Sequence, residues 1–74
     1  MNEKLRNIVA NNIRKYRKKM NISQEELAER AGLHRTYIGG VERGERNITL
    51  DSLQTIANAL SIAPVELIVE KADV

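Results

Sequence analysis

Residues 23–44 read Ser-Gln-Glu-Glu-Leu-Ala-Glu-Arg-Ala-Gly-Leu-His-Arg-Thr-Tyr-Ile-Gly-Gly-Val-Glu-Arg-Gly, and this stretch decides the fold. Ser23, with Glu26 three residues on, forms a capping box: the hydroxyl accepts the Glu26 amide proton and the carboxylate reaches back to the Ser23 amide. Leu27, Ala28 and Ala31 recur at helical spacing and mark a buried face. Gly32 ends that helix, because a left-handed residue is needed there and glycine adopts one without a side-chain clash. A second helix follows at once. Ile38 and Val41 face inward, and Gly44 is its stop signal.

Two short helices joined by a Gly-containing turn make a helix-turn-helix, whose second helix can enter the major groove of DNA. Arg35, Thr36, Gly39, Gly40 and Arg43 fall on the face opposite Ile38 and Val41. Arginine suits bidentate bonding to guanine O6 and N7, and threonine offers a hydroxyl or a methyl to a base edge. Two glycines in one helix cost about 1 kcal/mol each relative to alanine. Close approach of the helix backbone to another surface is one reason to keep them. An ordinary solvated face with tolerated glycines is the alternative that the face alone leaves open.

The bulk properties agree with a small binding module. A chain of 74 residues implies one domain, 1–74, of limited burial, for which dimerisation is a natural route to stability. With no Cys, neither a disulfide nor a thiolate metal site can help, and no cofactor is implied. Phe and Trp are also absent, so the core must come from Ile, Leu, Val and Ala. One His and scattered carboxylates give no catalytic or metal-ligating constellation, so neither an enzyme nor a small-molecule substrate is expected. No apolar run reaches the ~20 residues of a membrane span and no signal peptide is visible, which points to the cytoplasm. Residues 1–46 carry 11 Lys and Arg against 6 Glu, while residues 47–74 carry 1 Lys against 4 Asp and Glu. A basic first part and an acidic last part suit a protein with one face toward a polyanion.

In chain order, residues 3–20 read as a first helix whose stripe is Leu5, Ile8, Val9, Ile13, Tyr16 and Met20. Its basic run, residues 14–19, complements the helix dipole. His34 stands at the N-cap of the recognition helix, where histidine caps poorly. Residues 44–48 form a loop that carries Arg46 and Asn47 to the end of that helix. Thr49 caps a fourth helix with a stripe of Leu50, Leu53, Ile56, Ala57 and Leu60. Pro64 opens a fifth helix, about 64–70, with Leu67 and Ile68 inward. Val65 and Val69 are left on another face, a candidate dimer interface. The fold class is therefore all-α.

Ser23-Gln24-Glu25-Glu26-Leu27-Ala28, Ala31-Gly32-Leu33, Ile38, Val41-Glu42-Arg43-Gly44, Leu53, Ile56-Ala57, Ala59-Leu60 and Glu66-Leu67 together resemble the phage-repressor-like (Cro/C1, or Xre) helix-turn-helix family, over residues 8–69. Arg35-Thr36-Tyr37-Ile38-Gly39-Gly40-Val41-Glu42-Arg43 with Arg46-Asn47-Ile48-Thr49 further resembles the controller proteins of restriction–modification systems. The resemblance implies a five-helix DNA-binding domain acting as a homodimer on a two-fold operator and regulating its own gene and the endonuclease gene. A phage-type repressor or a DNA-binding antitoxin would use the same module. By position, the resemblance implies base reading by Arg35, Thr36 and Tyr37. It implies phosphate contacts from Gln24, Arg46 and Asn47 and a structural ion pair of Arg17 with Glu42. The outward face adds Arg43 to the expected phosphate set, and the cost of two helical glycines points to close backbone approach to DNA at Gly39 and Gly40. Position 39 is often Ser in controllers and is Gly here. RNA polymerase is the added partner that activation would need, with Glu25 in the usual neighbourhood for it.

Overall fold

The computed structural model describes residues 3–70. Four α-helices follow one another, α1 Glu3–Lys19, α2 Gln24–Ala31, α3 Arg35–Glu42 and α4 Leu50–Ala59, and a 3-10 turn spans Pro64–Leu67. Each of these five elements sends one large side chain to the centre with no exposed surface: Ile13, Leu27, Ile38, Ile56 and Leu67. Burying an aliphatic side chain of this size contributes about 1.5–3 kcal/mol. α3 lies against α1 and α2, α2 also against α4, and the 3-10 turn closes the far side by packing on α1 and α4. The consequence for function is that α3 is held from behind by two helices while its other side faces outward.

All four helices end in the same way. Asn21, Gly32, Gly44 and Ser61 take the left-handed conformation, with φ between 59° and 73°. The next residue then donates its amide back to a carbonyl five residues earlier: Ile22 to Arg17, Leu33 to Ala28, Glu45 to Gly40 and Ile62 to Ala57, at 2.9–3.3 Å. This Schellman geometry satisfies carbonyls that the helix end leaves without partners. In three cases the residue after the left-handed one is apolar, and it folds back onto the core: Ile22, Leu33 and Ile62. After α3 it is the charged Glu45, which is exposed, so the chain leaves the core and forms the loop to Thr49.

The starts follow local rules as well. Ser23 Oγ accepts from the Glu26 amide at 3.0 Å, and Thr49 Oγ1 accepts from the Ser52 amide at 3.0 Å. The capping box is only half built, since the Glu26 carboxylate turns to Arg30, 2.6 Å away on the next turn. His34 makes no side-chain cap bond at the start of α3.

Three expectations are corrected. The fifth helix is a single 3-10 turn, Pro64–Leu67, rather than a helix over about 64–70. Asn12, buried on α1, donates from Nδ2 to the carbonyls of both Leu67 and Val69 at 2.9 Å, and so holds the segment against α1. Ile68, expected inward, is 43% exposed, because the turn ends one residue before it. Leu50 is 82% exposed and Leu5 is 44% exposed, although both keep the spacing of their stripes. Helical side chains lean toward the N-terminus, so in the first turn of α4 and of α1 they overhang the core.

Two glycines separate backbone conformation from packing. A Cβ at Gly32 would meet nothing within 4 Å, whereas a Cβ at Gly44 would stand 2.5 Å from Asn7 Oδ1. Gly32→Ala is therefore expected to lose only the left-handed penalty, about 1–2 kcal/mol. Gly44→Ala should lose clearly more in the same urea titration. Equal losses would mean that Asn7 steps aside freely.

Candidate nucleic-acid interface

The position of α3 is fixed at its C-terminal end by Glu42, whose side chain is 1% exposed. Arg17 of α1 meets it with both sides of the guanidinium fork, Nε to Oε2 at 2.7 Å and Nη2 to Oε1 at 3.0 Å. The third nitrogen, Nη1, donates to the Ile22 carbonyl at 3.0 Å. Gln24 of α2 donates from Nε2 to Glu42 Oε1 at 3.0 Å. One carboxylate thus ties together α1, α2 and α3, and no buried side-chain polar atom among the described residues lacks a partner. Arg14 adds a cation at the end of α3, donating to the Glu42 carbonyl and to Asn11 Oδ1. A positive charge there complements the helix dipole.

The outward side of α3 carries Arg35 and Thr36, both exposed, in its first turn, with Arg43 exposed at its end. Gly39 and Gly40 depart from the expectation of a bare outward face, since both are buried. A Cβ at Gly39 would lie 3.2 Å from Arg43 Nη1 and 3.6 Å from Gln24 Oε1. A Cβ at Gly40 would lie 2.8 Å from Arg46 Cγ. The surface that approaches the helix backbone in this structure is therefore the protein's own arginine and glutamine side chains. Laid across Gly40, Arg46 places its guanidinium over the Tyr37 ring, 5.7 Å from the centroid. Arg43 Nε bonds Glu45 Oε1 at 3.0 Å with both side chains more than half exposed. An exposed pair of this kind is worth about 0–1 kcal/mol, so a stronger anion can displace Glu45.

Beside the exposed face of α3 lies a hollow that brings Thr36, Tyr37, Arg46 and Asn47 together with His34, Thr49 and Ser52. Sequence reasoning named Thr49 only as a cap and did not name Ser52. The signal available was the spacing, since Thr49 Oγ1 binds the Ser52 amide and so turns the start of α4 toward the loop. Arg6 was also missed: it reaches from α1 to Gly44 and Asn47 across about 40 positions of chain. Val65 and Val69 are exposed, at 52% and 37%, and Leu50 and Ile68 join them as large apolar side chains in solvent. Among the described residues no group of three or more His, Asp or Glu is arranged to hold a metal, and no helix is long and apolar enough to cross a membrane.

The helix-turn-helix family pattern matches residues 13–67, which include all of α2, α3 and α4. The chain belongs to that family. Control protein C.SmaI of Serratia marcescens is 53% identical over 64 residues, spanning 86% of this chain and 76% of that protein. The hypothetical transcription factor NHTF from Neisseria matches in fold with a TM-score of 0.89 at 41% identity, over 95% of this chain and 82% of that one. The restriction–modification controller protein C.Esp1396I, solved as a tetramer in complex with its natural 35-base-pair operator, matches with a TM-score of 0.81 at 39% identity, over 86% of this chain and 84% of that one. Control proteins of restriction–modification systems are thus among the proteins to which the chain is similar.

The buried pair behind the helix-turn-helix gives a direct test. Glu42→Ala leaves the Arg17 guanidinium with no counter-charge in a largely dry site and should cost about 3–5 kcal/mol. Thermal melts followed by far-ultraviolet circular dichroism measure this. A loss below ~1 kcal/mol would mean that water reaches Arg17 and that α3 is held by its apolar face alone.

Proposed function

We propose that this chain is a sequence-specific DNA-binding transcription regulator: a controller protein that acts as a homodimer on a two-fold operator and regulates its own gene and that of a restriction endonuclease. The observation that carries the reading is the exposed strip Arg35, Thr36 and Arg43 on α3, continued by Arg46 and Asn47 on the loop after it, with the back of the helix fixed by a buried ion pair. Likeness to C.SmaI and to the operator-bound C.Esp1396I supports the finer assignment.

In this reading Arg35, Thr36 and Tyr37 meet base edges in the major groove, and Gln24, Arg43, Arg46 and Asn47 hold the flanking phosphates. The glycines then have a second use. When Arg43 and Arg46 swing out to phosphates, they uncover Gly39 and Gly40 and let α3 lie closer to the bases. Gln24 is oriented for its part, since one of its amide protons is engaged by Glu42 and the other remains to donate. A homodimer would cover the exposed Leu50, Val65, Ile68 and Val69 and set the two recognition helices about 34 Å apart, one turn of B-DNA. Activation would bring in RNA polymerase as a further partner, and Glu25 is exposed in the first turn of α2.

Footprinting on the DNA upstream of the protein's own gene tests the whole reading, because it reports the site, its symmetry and the half-site spacing together. Protection without two-fold symmetry would count against the homodimer. Arg35→Ala should weaken binding to the specific site by about 1–3 kcal/mol and leave random duplex nearly unaffected. Arg46→Ala should weaken binding to every sequence and lower the slope of log K against log salt by about 0.9, the value for one phosphate contact. An unchanged slope removes Arg46 from the phosphate set. For the dimer, Leu50→Lys should shift sedimentation to the monomer at concentrations where the native chain is paired. A dimer that survives this change, and survives Val69→Asp, has its interface elsewhere.

A further inference from the structure

Arg6 stands at the end of the first turn of α1, far along the chain from the loop that follows α3, yet its guanidinium is engaged with that loop. Nε donates to the Gly44 carbonyl at 3.2 Å and Nη1 donates to Asn47 Oδ1 at 2.9 Å. The neighbouring Asn7 closes on the same loop, with its Oδ1 2.5 Å from where a Cβ of residue 44 would stand. The start of α1 therefore grips the loop at Gly44, where it leaves α3, and at Asn47, near its far end.

The chemistry of the second bond gives it a direction. A guanidinium has only donors, so the only atom of the Asn47 amide that it can hold is the oxygen. With Oδ1 fixed on Arg6, the amide cannot turn over, and its Nδ2 donor points away from Arg6. Asn47 is exposed, and it lines the same hollow as Thr36, Tyr37 and Arg46. A donor held there is suited to an anionic oxygen. Without Arg6 the two orientations of the amide would compete, and one of them presents an oxygen to a phosphate and repels it.

We infer that Arg6 is a positioning residue for the DNA contact: it holds the loop of residues 44–47 and aims the Nδ2 of Asn47 at a backbone phosphate. This rests on the DNA-binding reading above. Arg6 itself does not touch the nucleic acid in this scheme, so it adds affinity through geometry rather than through its own charge. That distinguishes it from Arg46, whose removal takes away a phosphate contact outright.

A double-mutant cycle on operator duplex tests the inference, with the full chain and binding read by fluorescence anisotropy at several salt concentrations. Arg6→Met should weaken binding about fivefold to tenfold, the effect of misplacing one hydrogen bond. In an Asn47→Ala background the same change should cost less than about twofold, because the group it positions is gone. The salt slope of Arg6→Met should equal that of the native chain, since no charge leaves the phosphate set. Equal losses in both backgrounds, or a slope lowered by about 0.9, would overturn the inference and make Arg6 a direct phosphate ligand. An unchanged affinity in Arg6→Met would overturn it as well. Arg6→Gln, which is neutral and too short to hold both partners, gives the same cycle should Arg6→Met lose its fold. If the native chain ignores operator and random duplex alike, the DNA-binding reading fails, and that result is distinct from a native chain that binds with no dependence on Arg6.

Discussion

A carboxylate with almost no exposed surface governs this molecule. Taking Glu42 out of water costs several kcal/mol, and the cost is offset only because a guanidinium fork and a glutamine amide both converge on it. Those partners sit on different helices, so meeting the electrostatic need of one side chain sets the mutual placement of α1, α2 and α3. An apolar contact would tolerate small shifts of one helix over another. A bidentate ion pair tolerates far less, because its strength depends on two parallel hydrogen bonds. α3 is therefore located by directional bonds at its C-terminal end and by Ile38 and Val41 along its length.

The same end of α3 is where the protein turns from core to surface. Three helices close with a left-handed residue and an apolar one that folds inward; α3 closes with Gly44 and the charged Glu45. One change of residue class at an otherwise repeated position sends the next residues outward and places Arg46 and Asn47 beside Thr36 and Tyr37 of α3. From there Arg46 returns across Gly40 to Tyr37, and Asn47 is met by Arg6. The glycines, the loop and the start of α1 thus form one arrangement around the exposed arginines.

The surface divides by chemistry. Arg35, Thr36 and Arg43 are exposed along α3 and Arg46 and Asn47 on the loop after it, while Leu5, Leu50, Val65, Ile68 and Val69 are the large apolar groups left in solvent among the described residues. Leu5, Leu50 and Ile68 line one groove between α1 and α4, with Arg6 and Asn47 at its polar edge. A domain with so few residues and no disulfide gains a good deal by covering such a groove. The short 3-10 turn that replaces a fifth helix helps to expose it, because the turn stops before Ile68 is carried inward.

The sequence by itself determined the four helices, their caps at Ser23 and Thr49, the stops at Gly32 and Gly44, and the central side chains Ile13, Leu27, Ile38, Ile56 and Leu67. These are properties of residues three or four apart, and every signal lay within one turn of its effect. The resemblance to controllers supplied the pairing of Arg17 with Glu42, which no local pattern announces. Tertiary structure alone decided that Gly39 and Gly40 are covered by arginine side chains, that Asn12 captures the segment after Pro64, and that Arg6 holds Asn47. Each of these depends on where a long polar side chain ends once the helices are packed. Its partner then lies across the fold rather than along the chain, and no spacing in the sequence records that distance.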